Sequence, residues 1–293
     1  SKNMPELSKN MPELSKNMPE LSKNMTVTPH PHPQRFAAGA LNWYGAYTLY
    51  FKEVRRFLKV PAQTLIAPMV TSLLFLAVFS LAMGGAGRSM AGIPLLNFLA
   101  PGLIIMAMMQ SAFANASSSL IMAKIQGTIV DLLMTPLGPL ELMIGYVFGG
   151  ATRGLITGAV LLLAVQPFVT VAPEHFGYIL FHAVAASIML ALLGLLGGLW
   201  AEKFDHISAV TNFVITPLAF LSGTFYSVDR LPGIWHGISQ LNPFFYAIDG
   251  FRYGFIGRAD GDLATGVIVL LVIDLVLWII CHRLLAIGYK LKP

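Results

Sequence analysis

The chain has 293 residues, of which 56% are hydrophobic and 11% charged, with a formal net charge of +5 and a mean hydropathy of +0.69. Ordinary soluble domains carry about 25% charged residues, so water is not the main solvent of this chain, and its apolar runs are too long for soluble core helices. A single cysteine, Cys281, excludes an intramolecular disulfide and any multi-cysteine metal cluster.

Residues 1–21 are three copies of SKNMPEL, and a fourth breaks off at Met25. We read 1–25 as a disordered tag, because a stacking repeat needs an apolar face that this one lacks, and Met25 as the expected native start. Residues 26–40 open with TVTPHPHPQ, whose alternating His and Pro hold neither a helix nor a core, so a flexible tail is expected. No cleavable signal peptide is expected, since the first long apolar run lies well inside the chain and exceeds a signal h-region.

From 41 to 60 the pattern is helical and two-faced. Trp43, Tyr47, Tyr50, Val54, Phe57 and Leu58 fall on one side, and Thr48, Lys52, Arg55 and Lys59 on the other. Aromatic rings suit the headgroup zone and cations suit anionic lipid, which predicts an interfacial helix on the cytoplasmic surface that ends at Pro61.

Six spans follow, at 64–83, 98–122, 142–165, 178–200, 207–226 and 263–285, each close to the roughly 20 residues that cross a bilayer. An even number puts both termini on one side. Ten Lys and Arg residues lie on that side against four opposite, Arg88, Arg230, Arg252 and Arg258, which predicts that both termini are cytoplasmic. The residues from 41 to 293 then form one transmembrane domain, and the segment 227–262 is a long external connection.

That external segment is too polar to span and too apolar for a loose loop. It predicts two short helices, 231–241 and 243–255, broken at Asn242-Pro243 and half-immersed as a lid over spans five and six. The internal loop KIQGTIVDLLMTPLGPLE (124–141) predicts a short helix over 128–134 with Ile129, Leu132 and Leu133 clustered, stopped by Pro136 and Pro139. An apolar-faced helix held between two spans can transmit a push. The chain carries no GxxxxGK[ST], no GxGxxG opening a helix after a strand and no HExxH, so no ATP hydrolysis of its own is expected.

The runs LNPFFYAIDGFR (241–252), PLAFLSGTFY (217–226) and LMTPL (133–137), in this order and spacing, resemble the ABC-2 family of export permeases, with the closest flavour that of multidrug and lipo-oligosaccharide permeases. The resemblance covers 36–293. It implies an all-α membrane protein like a type V ABC exporter: six spans, an N-terminal interfacial helix and the half-immersed segment between spans five and six. It further implies a homodimer in the bacterial inner membrane, bound to two copies of a cytoplasmic ABC ATPase that carries ATP and Mg, this chain binding no cofactor or metal. The motor contacts implied are Lys52, Arg55 and Arg56 on the interfacial helix, then Gln126, Thr128, Asp131, Leu132, Leu133, Thr135 and Pro136 on the internal loop. That loop departs from many relatives in carrying the lone Asp131 where they hold more charge.

Substrate is expected along the dimer interface. Met106, Met109 and Phe113 in span two, with Phe213, Phe220, Phe225 and Tyr226 at span five, are the path candidates, since flexible Met side chains repack around varied apolar cargo. Gly145, Gly149, Gly150, Gly154 and Gly158 in span three predict close helix packing, within one subunit or, as the alternative, at the dimer seam. Arg153 in span three and Asp274 in span six are intramembrane charges, read as a structural pair or with Arg153 reaching the headgroups. Two other classes compete: a secondary transporter driven by an ion gradient, and an intramembrane enzyme near Glu174, His175, His182 and His236, for which no nucleophile-and-base arrangement is evident.

Overall fold

A computed structural model of the chain describes residues 42–82, 89–90, 92–169, 172–228 and 233–291. The chain divides into two units, 1–40 and 41–293, and every described residue belongs to the second. The expected tag and tail therefore lie outside the described residues, as do Arg88 and Arg230.

The first helix, α1 (Trp43–Leu58), is capped by Asn42, whose side chain accepts from the Gly45 N–H. Pro61 then removes a backbone donor, and the Thr64 hydroxyl donates to the carbonyls of Phe57 and Val60 that α1 leaves behind. A π-helical turn, Ala62–Ile66, runs on into α2 (Ala67–Ala82). A two-residue hairpin, β1 (Ser89–Met90) with β2 (Ile93–Pro94), leads into α3 (Leu95–Ile125).

After α3 come the short α4 (Ile129–Met134), then α5 (Pro139–Val165) and α6 (Phe176–Trp200). Next, α7 (Phe204–Val210) continues through a π-helical stretch, Thr211–Ile215, into α8 (Thr216–Leu221). The chain closes with α9 (Ile234–Leu241), α10 (Pro243–Ile256) and α11 (Leu263–Ala286).

Among the described residues, six segments are long and apolar enough to cross a membrane: Ala62–Ala82, Leu95–Ile125, Pro139–Val165, Phe176–Trp200, Phe204–Leu221 and Leu263–Ala286. They match the expected spans within a few residues, apart from the fifth, which stops short of the expected end. Its end is set by Gly223 at φ +80° and by the Ser222 hydroxyl, which bonds back to Leu218 O at 2.6 Å, so the chain turns before Tyr226.

The core is α3, packed against α5 and α6 and joined by α10 and part of α11. The glycines of α5 make the close approaches expected of them within one chain. A Cβ at Gly154 would lie 2.8 Å from Met108 O of α3, and one at Gly149 would lie 2.6 Å from the Glu53 side chain of α1. By contrast, α2, the α7–α8 span and α11 bury little of their surface in this chain.

Helix α1 packs one face on the bundle, where Ala46, Leu49, Glu53 and Phe57 form a buried stripe against α5. The external segment forms two short helices that break at Asn242, as expected. Helix α10 packs among α3, α6 and α11 with Phe244, Phe245 and Phe251 fully buried, while α9 keeps Ile234, Trp235 and Leu241 exposed.

Candidate functional site

Three places hold the polar chemistry of the bundle. The first joins α1, α3 and α5. Glu53 is fully buried, accepts from Ser119 Oγ at 2.7 Å and pairs with Arg56 at 3.2 Å. Arg56 also donates to Asn115 O at 2.9 Å, to Asn115 Oδ1 at 3.1 Å and to Ser118 Oγ at 3.3 Å. Removing two charges from water is costly unless they are paired and bonded, and this cluster is both. Near the start of α1, the Asn42 N–H donates to Glu141 Oε1 at 3.0 Å and the Asn42 amide donates to Pro136 O at 3.3 Å. The start of α1 is thereby tied to the connection between α4 and α5.

Helix α4 hangs from the end of α3 by a turn at Gly127, whose φ of +73° favours glycine. Ile129 is buried and Leu132 half-buried, so they anchor α4 to the bundle. Leu133 and Met134 are exposed, as are Gln126, Thr128, Asp131, Thr135 and Pro136. The expected cluster of Ile129, Leu132 and Leu133 is thus split, with two facing the bundle and one facing out. Of the three cations assigned to α1, Lys52 is exposed and Arg55 lies over the Phe51 ring at 4.4 Å. Arg56 is instead turned inward to Glu53, because a buried carboxylate attracts the nearest guanidinium. Sequence reading passes over Glu53, although a lone Glu among apolar helical positions is a usable signal.

Beside α4, a cavity of about 330 Å³ is lined by Lys124, Gly127, Ile129, Glu202 and Lys290. Lys124 donates to the carbonyls of Leu199 and Ala201, and Lys290 pairs with Glu202 at 2.9 Å. The ammonium of Lys290 holds the exposed Glu202 carboxyl below its ordinary range, and Glu202 raises Lys290 in return.

The second place is a cavity of about 460 Å³ enclosed by α2, α3, α5 and the α7–α8 span. Met106 and Phe220 line it, together with Arg153. The other path candidates are elsewhere. Met109 and Phe113 are buried inside the bundle, where α6 crosses α3 at Gly194, and Phe213 is exposed. Phe225 stacks on Phe79 at 4.6 Å, and the Tyr226 hydroxyl is spent on Leu221 O.

Arg153 and Asp274 form no ion pair with each other, which corrects the pairing expected of them. Arg153 lines a cavity on the α2–α3 side of α5, whereas Asp274 sits on α11, which packs on α6. Each keeps one buried polar atom without a hydrogen bond, Nε of Arg153 and Oδ1 of Asp274.

The third place ties the external segment to the bundle. Arg252, counted among the outer cations, is 2% exposed: it donates to Gly223 O at 2.6 Å and lies over the Phe98 ring at 3.9 Å. Asn242 donates to Leu218 O and Ser222 Oγ and accepts the Phe244 N–H, which caps α10. Asp249 accepts from the N–H groups of Asp260 and Gly261, and Asp260 accepts from Val228 N at 2.8 Å. His175 stacks on Tyr253 and His182 bonds Tyr178 O, so neither is arranged as a base beside a nucleophile.

Residues 44–256 match the ABC-2 type transporter family. The chain is 38% identical to the inner membrane transport permease YadH of Escherichia coli (strain K12) over 252 residues, 86% of this chain and 98% of the relative. It is 23% identical to nodulation protein J of Sinorhizobium fredii (strain NBRC 101917 / NGR234) over 78% of this chain and 86% of that protein. Identity to nodulation protein J of Rhizobium leguminosarum bv. viciae is 22%, over 85% of this chain and 95% of that protein. With the six apolar helices and the matched range lying within one bundle, the chain belongs to the ABC-2 type transporter family as a transport permease.

Proposed function

We propose that the chain is the membrane-spanning subunit of an ATP-driven exporter in a bacterial inner membrane. In this reading it works as a homodimer, with both termini cytoplasmic, bound to two copies of a separate ABC ATPase that carries ATP and Mg. Its cargo is an amphipathic drug-like molecule or a lipid-linked oligosaccharide, moved outward between the two copies. The observation that carries the reading is the mounting of α4. Its outer face presents Leu133 and Met134, while its base is held by buried Ile129, and the α4–α5 connection is bonded to Asn42 of α1. A push on α4 therefore reaches α1, α3 and α5 together.

The test is co-purification of the tagged chain with the ATPase encoded beside it, for wild type and for Leu133→Asp/Met134→Asp. The expected result is a stable complex that the double variant loses while keeping its fold. A chain that binds no ATPase and transports without ATP would overturn it. The second reading, a secondary transporter, draws on the ionisable groups Arg153 and Asp274 within the spans. It requires transport that follows an ion gradient and survives ATP depletion.

A further inference from the structure

Arg153 stands at the fifteenth of the 27 positions of α5, near the middle of a span. A guanidinium at that depth is costly, and such groups are ordinarily paired, bonded to backbone or turned toward a water-filled cavity. Arg153 lines a cavity. It has no ion pair among the described residues, its Nε is buried without a hydrogen bond, and the charged neighbour acting on it is another cation, Arg56. Arg153 is the one charged group among the residues that line the cavity.

The rest of the wall is divided in character. Gln63, Gln110 and Ser111 supply amide and hydroxyl donors, and no carboxylate lines the cavity to satisfy the guanidinium or repel an anion. Phe75, Leu103, Met106 and Phe220 supply an apolar surface. A volume of about 460 Å³ suits a headgroup with part of a chain. One cation, neutral donors and an apolar wall are complementary to a molecule with one anionic end and an apolar body.

We propose that this cavity receives an amphiphile bearing a phosphate or carboxylate, its anionic group on Arg153 and its tail against Phe75, Leu103, Met106 and Phe220. The inference narrows the cargo class and rests on the exporter reading. The same chemistry is offered by an acidic membrane lipid resident in the cavity and by a transported acidic amphiphile.

The experiment measures binding to the purified full chain in a neutral maltoside detergent. The probes are dodecyl phosphate, dodecyltrimethylammonium and inorganic phosphate, and the proteins are wild type, Arg153→Lys, Arg153→Gln and Ala114→Trp. Ala114 lines the cavity, so Trp there fills it while keeping the guanidinium. Dodecyl phosphate is expected to bind wild type and Arg153→Lys, about tenfold more weakly to Arg153→Gln for the loss of one charged partner, and not to Ala114→Trp. Neither dodecyltrimethylammonium nor inorganic phosphate is expected to bind. Wild-type affinity for dodecyl phosphate in Arg153→Gln or in Ala114→Trp would overturn the proposal, as would equal binding of the cationic probe. Arg153→Lys guards against a merely misfolded Gln variant.

Repeating the measurement in phosphatidylcholine and phosphatidylglycerol nanodiscs separates the sources. Displacement of dodecyl phosphate by phosphatidylglycerol identifies a resident lipid headgroup, and undiminished binding identifies cargo; either supports the site. Failure of the exporter reading shows separately, as loss of ATPase association with anion binding intact. If the cationic probe binds in an Ala114→Trp-sensitive way, the cavity is a path and the anionic class falls.

Discussion

Glu53 of α1 and Ser119 of α3 meet at 2.7 Å in a place where neither touches solvent appreciably, and Arg56 closes the group from the same face of α1. Glu53 can approach because Gly149 of α5 has no side chain to block it. One carboxylate thus fastens the first helix to the two spans that flank α4, so the mounting of α4 depends on a residue distant from it in sequence.

Removing that carboxylate takes one partner each from Arg56 and Ser119. Glu53→Ala should destabilise the purified chain by roughly 1.5–3 kcal/mol, since the hydrogen bonds to a charged group are lost while Arg56 keeps its bonds to Asn115 and Ser118. Ser119→Ala removes one bond and should cost about 1 kcal/mol. Thermal unfolding in detergent reads both. A Glu53→Ala variant as stable as wild type would mean that the cluster is incidental.

The small residues of the bundle differ in what they face, and this sets an order of tolerance. A Cβ at Gly194 of α6 would lie 2.5 Å from Phe113 O and 3.1 Å from Phe113 C and Cα, backbone that cannot yield without moving α3. A Cβ at Gly158 would meet only the Met108 thioether, which can change rotamer. Gly194→Ala should therefore cost about 1–3 kcal/mol as overpacking, and Gly158→Ala under about 1 kcal/mol. Folded yield after size-exclusion chromatography ranks them, and a reversed order would contradict the helix contacts described.

Much of this bundle is legible in the sequence because length alone identifies a span. Runs near 20 apolar residues place all six, and Asn242-Pro243 marks the break between α9 and α10. What hydropathy hides is direction. From Leu99 to Met109 every residue of α3 is apolar, so no periodic signal separates Met109, buried in the bundle, from Met106 on a cavity wall. Nor does sign alone reveal that Arg56 and Arg252 are drawn inward rather than left at a surface. Each is held instead by carbonyls or a carboxylate that only the folded chain brings within reach. Within α10, Asp249 and Arg252 are likewise bonded inside the bundle and do not mark an exposed face.

Asn242 makes three hydrogen bonds from one side chain, two donated into the end of α8 and one accepted as the cap of α10. Asn242→Asp keeps the cap acceptor but turns the two donors into acceptors against Leu218 O and Ser222 Oγ. Loss of a cap costs about 0.5–2 kcal/mol, and each lost buried bond adds about 1 kcal/mol. Both Asn242→Ala and Asn242→Asp should lower the melting temperature, and the Asp variant should not recover the wild-type value. Full recovery by Asp would show that capping alone matters at this position.

Asp249 gives the external segment a defined response to pH. Burial pushes its carboxyl up to about 6, while the N–H of Asp260, the Arg252 guanidinium and the N–H of Gly261 pull it back toward the ionised form. The folded chain therefore holds this proton more tightly than an unfolded chain, in which the group titrates at about 3.8. Above pH 6 the group is ionised in both states and the full cost of burying it is present; as pH falls from 6 toward 4 the folded state takes up the proton first and gains stability. The gain is at most about 3 kcal/mol, since each pH unit separating the folded and unfolded pKa is worth about 1.36 kcal/mol. Wild type should gain melting temperature between pH 7 and about pH 5 relative to Asp249→Asn, which has no proton to take up and should lack this part of the profile. Parallel profiles for the two proteins would assign any stabilisation in that window to other carboxyl groups and leave Asp249 ionised on its two backbone donors.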